Sequence, residues 1–168
     1  RLREWFIETA GMETADKIDL FKLHKEEYKA GASPGLVDVA PAQYLAIDGR
    51  GAPNGAAFEE CFGGMYSMAF TIKMRRKAAG FADYVVGKLE CTWFLPDGTG
   101  DFSQVSPEEW QWTLMIRTPE DVLREDLDRA VEVLRSKGKA ARVDEVRLET
   151  IREGKCVQMM HVGPYDKV

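Results

Sequence analysis

A chain of 168 residues, 45% apolar and 30% charged, suits one ordinary domain with a real core and needs no disulfide or metal to hold it together. Its net charge of -5 is mild, and cations are interspersed with acids in no basic stripe, which argues against direct nucleic-acid binding. No apolar run approaches the ~20 residues of a membrane span, and the N-terminus is charged where a signal peptide is apolar, so the expected setting is cytoplasmic.

The first thirty or so residues, through KIDLFKLHKEEYKAG, are charged and only loosely periodic, and Gly31, Ser33, Pro34 and Gly35 mark a loop. Residues 1–35 are therefore expected to be an N-terminal extension, with the domain proper at 36–168. Leu36 to Asp48 alternates around Pro41 and reads as an interrupted strand, and Gly49 to Gly55 reads as a turn. Its glycines lack both the Walker spacing and the dinucleotide GxGxxG. From Asn54, read as an N-cap, Phe58, Phe62, Met65, Ala69 and Ile72 recur at helical steps and predict a helix over about 55–78. Tyr66 and Phe70 form a second row. Gly63-Gly64 costs about 1 kcal/mol per glycine relative to alanine, so something approaches closely there or the helix bends.

Tyr84 to Leu95 and Trp110 to Arg117 are rich in β-formers and predict an antiparallel pair joined by a long loop. Thr118-Pro119-Glu120-Asp121 predicts a helix start, Leu123, Leu127, Ala130 and Leu134 its buried stripe, and Gly138 its end. Glu145 to Ile151 and Lys155 to Val162, around Glu153-Gly154, read as a second hairpin. The order of elements makes an α+β fold with a mainly antiparallel sheet.

Strand parity sorts the candidate residues. Glu90, Thr92 and Phe94 share one face, and Leu89, Cys91, Trp93 and Leu95 the other; on the partner strand Trp110, Trp112, Leu114 and Ile116 fall together. Glu90 and Trp93 are neighbours only if a bulge intervenes. Each tryptophan taken singly reads as core, but three indoles in so short a stretch also suit a cleft that stacks flat, hydrophobic or cationic ligands, with Trp93 and Trp112 as its walls. Glu90 reads either as a strand acid paired with Lys88 or Arg117, or as a partly desolvated carboxylate that neutralises a cation or positions water at an electrophilic carbon. Tyr66 is placed to offer a hydroxyl or to pack in the core. His161 has no Ser, Cys or acid at a triad spacing. Cys61, Cys91 and Cys156 are isolated and odd in number, which reads as small buried hydrophobes rather than a disulfide framework or a zinc site.

KIDLFK, VDVAPAQYLAIDGRG, MYSMAFTIK, KLECTWF, EWQWTLMIRTP and MMHVGPY together resemble, in collinear order from about Lys17 onward, the stand-alone bacterial branch of the GyrI-like small-molecule-binding domain family. The resemblance implies two strand-helix-strand-strand modules with a ligand cleft between them. Val37 to Arg117 would form the first, and Glu145 onward the beginning of an incomplete second. It implies capture of bulky hydrophobic or cationic small molecules, with Glu90 as the acid placed before Trp93. Phe94 stands where a second aromatic, often tryptophan, follows, and Tyr165 opens the second module's helix toward the cleft. Alternative readings are a cofactor-independent hydrolase of cyclopropane-containing genotoxins, with Glu90 catalytic, and a gyrase-inhibiting or regulator-type protein-binding module. No cofactor and no metal are expected; a homodimer is an open arrangement.

Overall fold

The computed structural model describes residues 17–96, 98, 101–139 and 141–163. Tyr165 lies outside them. The architecture is α+β with antiparallel sheets. After a short helix, α1 (Leu20–Leu23), and a 3-10 turn (Lys25–Tyr28), the chain runs β1 (Gly35–Val39), β2 (Ala42–Arg50), α2 (Ala56–Ala78), β3 (Leu89–Phe94), β4 (Gln111–Arg117), α3 (Arg124–Ser136), β5 (Arg147–Ile151) and β6 (Gly154–Gln158). Strands β3-β4-β2-β5 form one sheet in that spatial order, and β1-β6 a separate two-stranded ribbon.

The strand interruption at Pro41 divides the chain between these two sheets. Ala42 pairs with Ile151 and Val39 with Gly154, so the β2–β5 ladder resumes as β1–β6 beyond a break at Ala40-Pro41 on one side and Arg152-Glu153 on the other. Proline has no N–H to keep a ladder going, and Gly154 takes φ +67, a left-handed value that suits glycine. The expected terminal hairpin is therefore not formed: β5 and β6 pair with earlier strands instead of each other.

Helices α2 and α3 cover one face of the larger sheet. Leu45 and Ile47 of β2 and Trp112, Leu114 and Ile116 of β4 pack there against Cys61, Met65, Met68, Ala69 and Ile72 of α2 and Leu127, Ala130 and Leu134 of α3. Each large apolar side chain so enclosed contributes about 1.5–3 kcal/mol.

Helix α2 spans the expected range, but its N-cap is Gly55 in extended geometry. Asn54, the expected cap, sits at φ 64, outside the β-region conformation a cap requires. Phe62, expected on the buried stripe, is 41% exposed and stands in an outer ring row with Tyr66 and Phe70, centroids 5.2 and 6.3 Å apart. The glycine pair resolves in part: a Cβ on Gly64 would lie 3.1 Å from the Ala141 carbonyl oxygen, a close approach, whereas nothing in the structure explains Gly63.

Strand β3 begins at Leu89, five residues later than the predicted start at Tyr84. The backbone before it turns to the N-terminal segment, with Val85 N donating to Ile18 O at 2.8 Å and Ile18 N to Asp83 O at 3.0 Å. Helix α3 likewise starts at Arg124 rather than after Thr118. Thr118 N still donates to Gln43 O at 2.9 Å, Gln43 Nε2 takes the carbonyls of Pro119 and Val122 at 2.9 Å each, and Arg76 Nη1 takes that of Asp121 at 2.9 Å. Side chains thus bind three carbonyl oxygens of this stretch, and the one backbone turn bond within it runs from Val122 N to Pro119 O at 3.1 Å. Asp126 closes the later start by accepting from Leu123 N at 3.0 Å. Leu123, moved to the cap, is 57% exposed and leaves the predicted stripe to Leu127, Ala130 and Leu134. Among the described residues no helix is long and apolar enough to cross a membrane.

Candidate functional site

The sheet face opposite the helices carries the second parity set. Glu90 lies across from Met115, and Met115 from Ala46; one step along, Arg117 lies across from Tyr44. Ala42, Tyr44, Ala46 and Met115 form a second buried apolar cluster with Ile151 beside it, and no residue of α2 or α3 belongs to it. The register from Leu89–Ile116 to Phe94–Gln111 is unbroken, so no bulge turns Glu90 toward Trp93.

The N-terminal segment is laid over this face as a strap. Tyr28 donates its hydroxyl to Glu90 Oε1 at 3.0 Å and accepts from Arg117 Nη1 at 3.4 Å, while the same Arg117 nitrogen donates to Glu27 Oε2 at 2.6 Å. Further fastenings come from Gln158 Nε2 to Glu27 O at 2.9 Å and Met160 N to Gly31 O at 2.8 Å. The Phe21 ring lies 5.0 Å from that of Tyr28, and Lys88 Nζ stands 4.1 Å over Phe21. Residues counted at sequence level as an extension thus contact the site directly.

Burial is the largest influence on Glu90 and pushes its carboxyl above the ordinary carboxylate range; the Tyr28 hydrogen bond and the Arg117 charge pull it back, and Glu153 and Glu27 push it up again. Burial, helped by the Glu90 charge, raises Tyr44, and burial also raises Tyr28, so both stay neutral hydroxyls. Burial pulls Arg117 down, but its bonds to Tyr28 and Glu27 more than offset that and keep it a cation. The result is a half-buried carboxylate with Oε1 held by Tyr28 and with no hydrogen-bond partner on Oε2 among the described residues. Such an oxygen can take a proton from water or pair with a cation.

Phe94 is on the Glu90 face and 42% exposed, about 13 Å further along the strand. Trp112 is not on a cleft wall: it is completely buried on the helix face, edge-on to Phe58 at 5.3 Å, in the space that a side chain at Gly49 would occupy. Trp93 is partly buried beside it, stacked on Phe58 at 5.7 Å and edge-on to Trp110 at 5.9 Å. Tyr66 is also on the helix side, where its hydroxyl accepts from Leu89 N at 3.1 Å. The sheet therefore separates Trp93, Trp112 and Tyr66 from Glu90. Trp110 closes the loop before β4 by donating Nε1 to Val105 O at 3.0 Å, and His161 Nε2 lies 2.9 Å from Gly163 O.

Tyr28 and Tyr44 were not singled out from sequence. Arg117 carried a signal, because a cation ending the apolar strand WQWTLMIR must find partners if buried. Tyr28 carried none, being one residue of a charged, weakly periodic run. Elsewhere, an open groove between α2 and α3 is lined by Phe70, Thr71, Met74, Arg75, Val133 and Lys137. It offers two cations and no acid, the wrong charge for a cationic compound.

The chain superposes on the crystal structure of an uncharacterized conserved protein from Listeria innocua with a TM-score of 0.80 at 35% identity, covering 90% of this chain and 74% of that one. Two crystal structures described as a hydrolase from Listeria innocua give TM-scores of 0.79 and 0.77, again at 35% identity and 90% of this chain, covering 75% and 74% of theirs. No family model and no curated protein matches the chain.

Proposed function

We propose that this chain, which belongs to the same family as those Listeria innocua proteins, is a hydrolase that takes bulky apolar or cationic small molecules against the sheet face around Glu90. The observation that carries the reading is the half-buried Glu90 carboxylate, one oxygen fixed by Tyr28, set beside the apolar side chains of Met115 and Ala46. The description of two relatives as hydrolases favours chemistry over capture alone. The motif blocks resembling GyrI-like domains, and the succession β2-α2-β3-β4, support the finer assignment to that family and to strained-ring substrates.

In this reading a water molecule attacks an electrophilic cyclopropane carbon. Its oxygen bonds to that carbon, the ring C–C bond breaks with its electron pair passing into a conjugated acceptor on the substrate, and the water's proton goes to Glu90. A carboxylate lifted by burial is a better base than one in water, and the adjoining apolar surface holds the substrate. Binding without turnover is the second reading, favoured by the apolar cluster and the exposed Phe94 on the same face.

Turnover of a cyclopropane-containing alkylator by the protein, followed by chromatography, decides between them. Glu90→Gln, with circular dichroism and melting retained, is expected to lose at least a hundredfold in rate. Undiminished turnover in Glu90→Gln would exclude Glu90 as the base. No turnover, with lipophilic cations still raising the melting temperature, would leave the binding reading.

A further inference from the structure

The Tyr28 hydroxyl has one proton, a hydrogen-bonded neighbour on either side in Glu90 and Arg117, and the Tyr44 hydroxyl close by. Arg117 Nη1 is only a donor, so at 3.4 Å it occupies a lone pair of the Tyr28 oxygen and leaves the hydroxyl proton for Glu90 Oε1 at 3.0 Å. Glu27, accepting from the same Arg117 nitrogen at 2.6 Å, holds the guanidinium in place. The polarity of the chain Arg117 to Tyr28 to Glu90 is therefore set by donor chemistry. The segment bearing Tyr28 is itself anchored at Ile18, Glu27 and Gly31 by backbone or side-chain bonds from Val85, Gln158 and Met160.

We propose that Tyr28 is the positioning residue of this site: its hydroxyl, turned toward Glu90 by Arg117, fixes Oε1 and leaves Oε2 to face water or a cationic ligand. This rests on the reading of Glu90 as the reacting carboxylate. Tyr28 touches Glu90 and not the reacting atoms, so it acts through the orientation and ionisation of that carboxylate. The charged and titratable groups facing Glu90 are Tyr28 and Glu27 from the 3-10 turn, Arg117 from β4, Tyr44 from β2 and Glu153 from the turn between β5 and β6. Of these, Tyr28 alone among the described residues hydrogen-bonds the carboxylate. A bond to the ionised form favours that form, so its loss removes a counterweight to burial and moves the titration midpoint of Glu90 up.

The test is a 13C NMR titration of the side-chain carboxyls of glutamate-labelled full chain, with the Glu90 signal assigned by its absence in Glu90→Gln. Tyr28→Phe, which keeps the ring packed on Phe21, is expected to raise the Glu90 midpoint. It is also expected to move the acid limb of the turnover profile up by about one pH unit and to lower kcat about tenfold with KM little changed, as for loss of one hydrogen bond to a charged group. Phe21→Leu loosens the strap without touching the hydroxyl and is expected to lower the melting temperature while leaving the midpoint in place. An unmoved or lowered midpoint in Tyr28→Phe overturns the proposal, and so does an equal rise in Phe21→Leu. If Glu90→Gln is fully active, the reading beneath the proposal fails instead, and the NMR result stands separately from it.

Discussion

Gly49 and Trp112 face each other across β2 and β4, and the indole fills the volume that any side chain at position 49 would need. Gly49→Ala must displace a fully buried ring, so it is expected to destabilise by about 1–3 kcal/mol in denaturant unfolding. Gly63→Ala, where a Cβ meets nothing within 4 Å, is expected to stabilise by about 1 kcal/mol through helix propensity alone. Sequence alone placed Trp112 on an apolar strand face, and there its fate was legible. What suggested a cleft wall was the clustering of tryptophans, and what settled it was a glycine more than sixty positions away that only the register brings opposite. Glu90 shows the converse: parity put it on the right face, but its partner Tyr28 is unreadable without the fold.

Glu90 also has a stability signature. Its folded-state carboxyl is raised above the ordinary value, so the contribution of protonation to stability is full below the unfolded range, about 4.3, and is lost as pH rises through the higher folded value. Glu90→Gln cannot titrate. Thermal melts at stepped pH are expected to show it at or above the parent at pH 7, with the gap closing as pH falls into the carboxylate range.

At the scale of elements, two breaks in regular structure set the layout. Pro41 interrupts the long strand and hands its first half to the ribbon, which a sequence can announce because proline lacks the ladder N–H. The late start of α3 could not be announced in this way: Thr118-Pro119-Glu120-Asp121 has the local chemistry of a helix start, and it is overruled by Gln43 and Arg76 from distant elements binding the carbonyls there. Arg76 is the more consequential of the two. It is 3% exposed, pairs with Asp121 and with Asp126 at 2.7 Å, and lies 4.4 Å from the Phe81 ring centroid, so it pins the end of α2 to the approach to α3. Arg76→Ala leaves the buried end of this cluster without its cation and is expected to cost about 3 kcal/mol by urea unfolding. Arg135→Ala, whose pair with Asp144 is at the surface, is expected to cost less than 1 kcal/mol.

At the scale of the molecule, the larger sheet has two faces with different occupations. One is a conventional core closed by α2 and α3, and it holds Met65, Met68, Trp93 and Trp112. The other carries Glu90, Tyr44, Arg117 and Met115 under the N-terminal strap, and it is where an ionisable group is held partly out of water beside apolar side chains. The α+β class and the strand pairing of β3 with β4 were legible in alternation and turn residues. The division of labour between faces was only half legible, because parity separates the faces without saying which one the helices cover. Methyl-labelled methionine reports directly on whether the functional face is the one bearing Glu90. On titration with a lipophilic cation, the Met115 methyl resonance is expected to shift, Met65 and Met68 to stay in place, and the shift of Met115 to be lost in Glu90→Gln. Movement of Met65 and Met68 with Met115 unchanged would contradict that placement and return the site to the tryptophan side of the sheet.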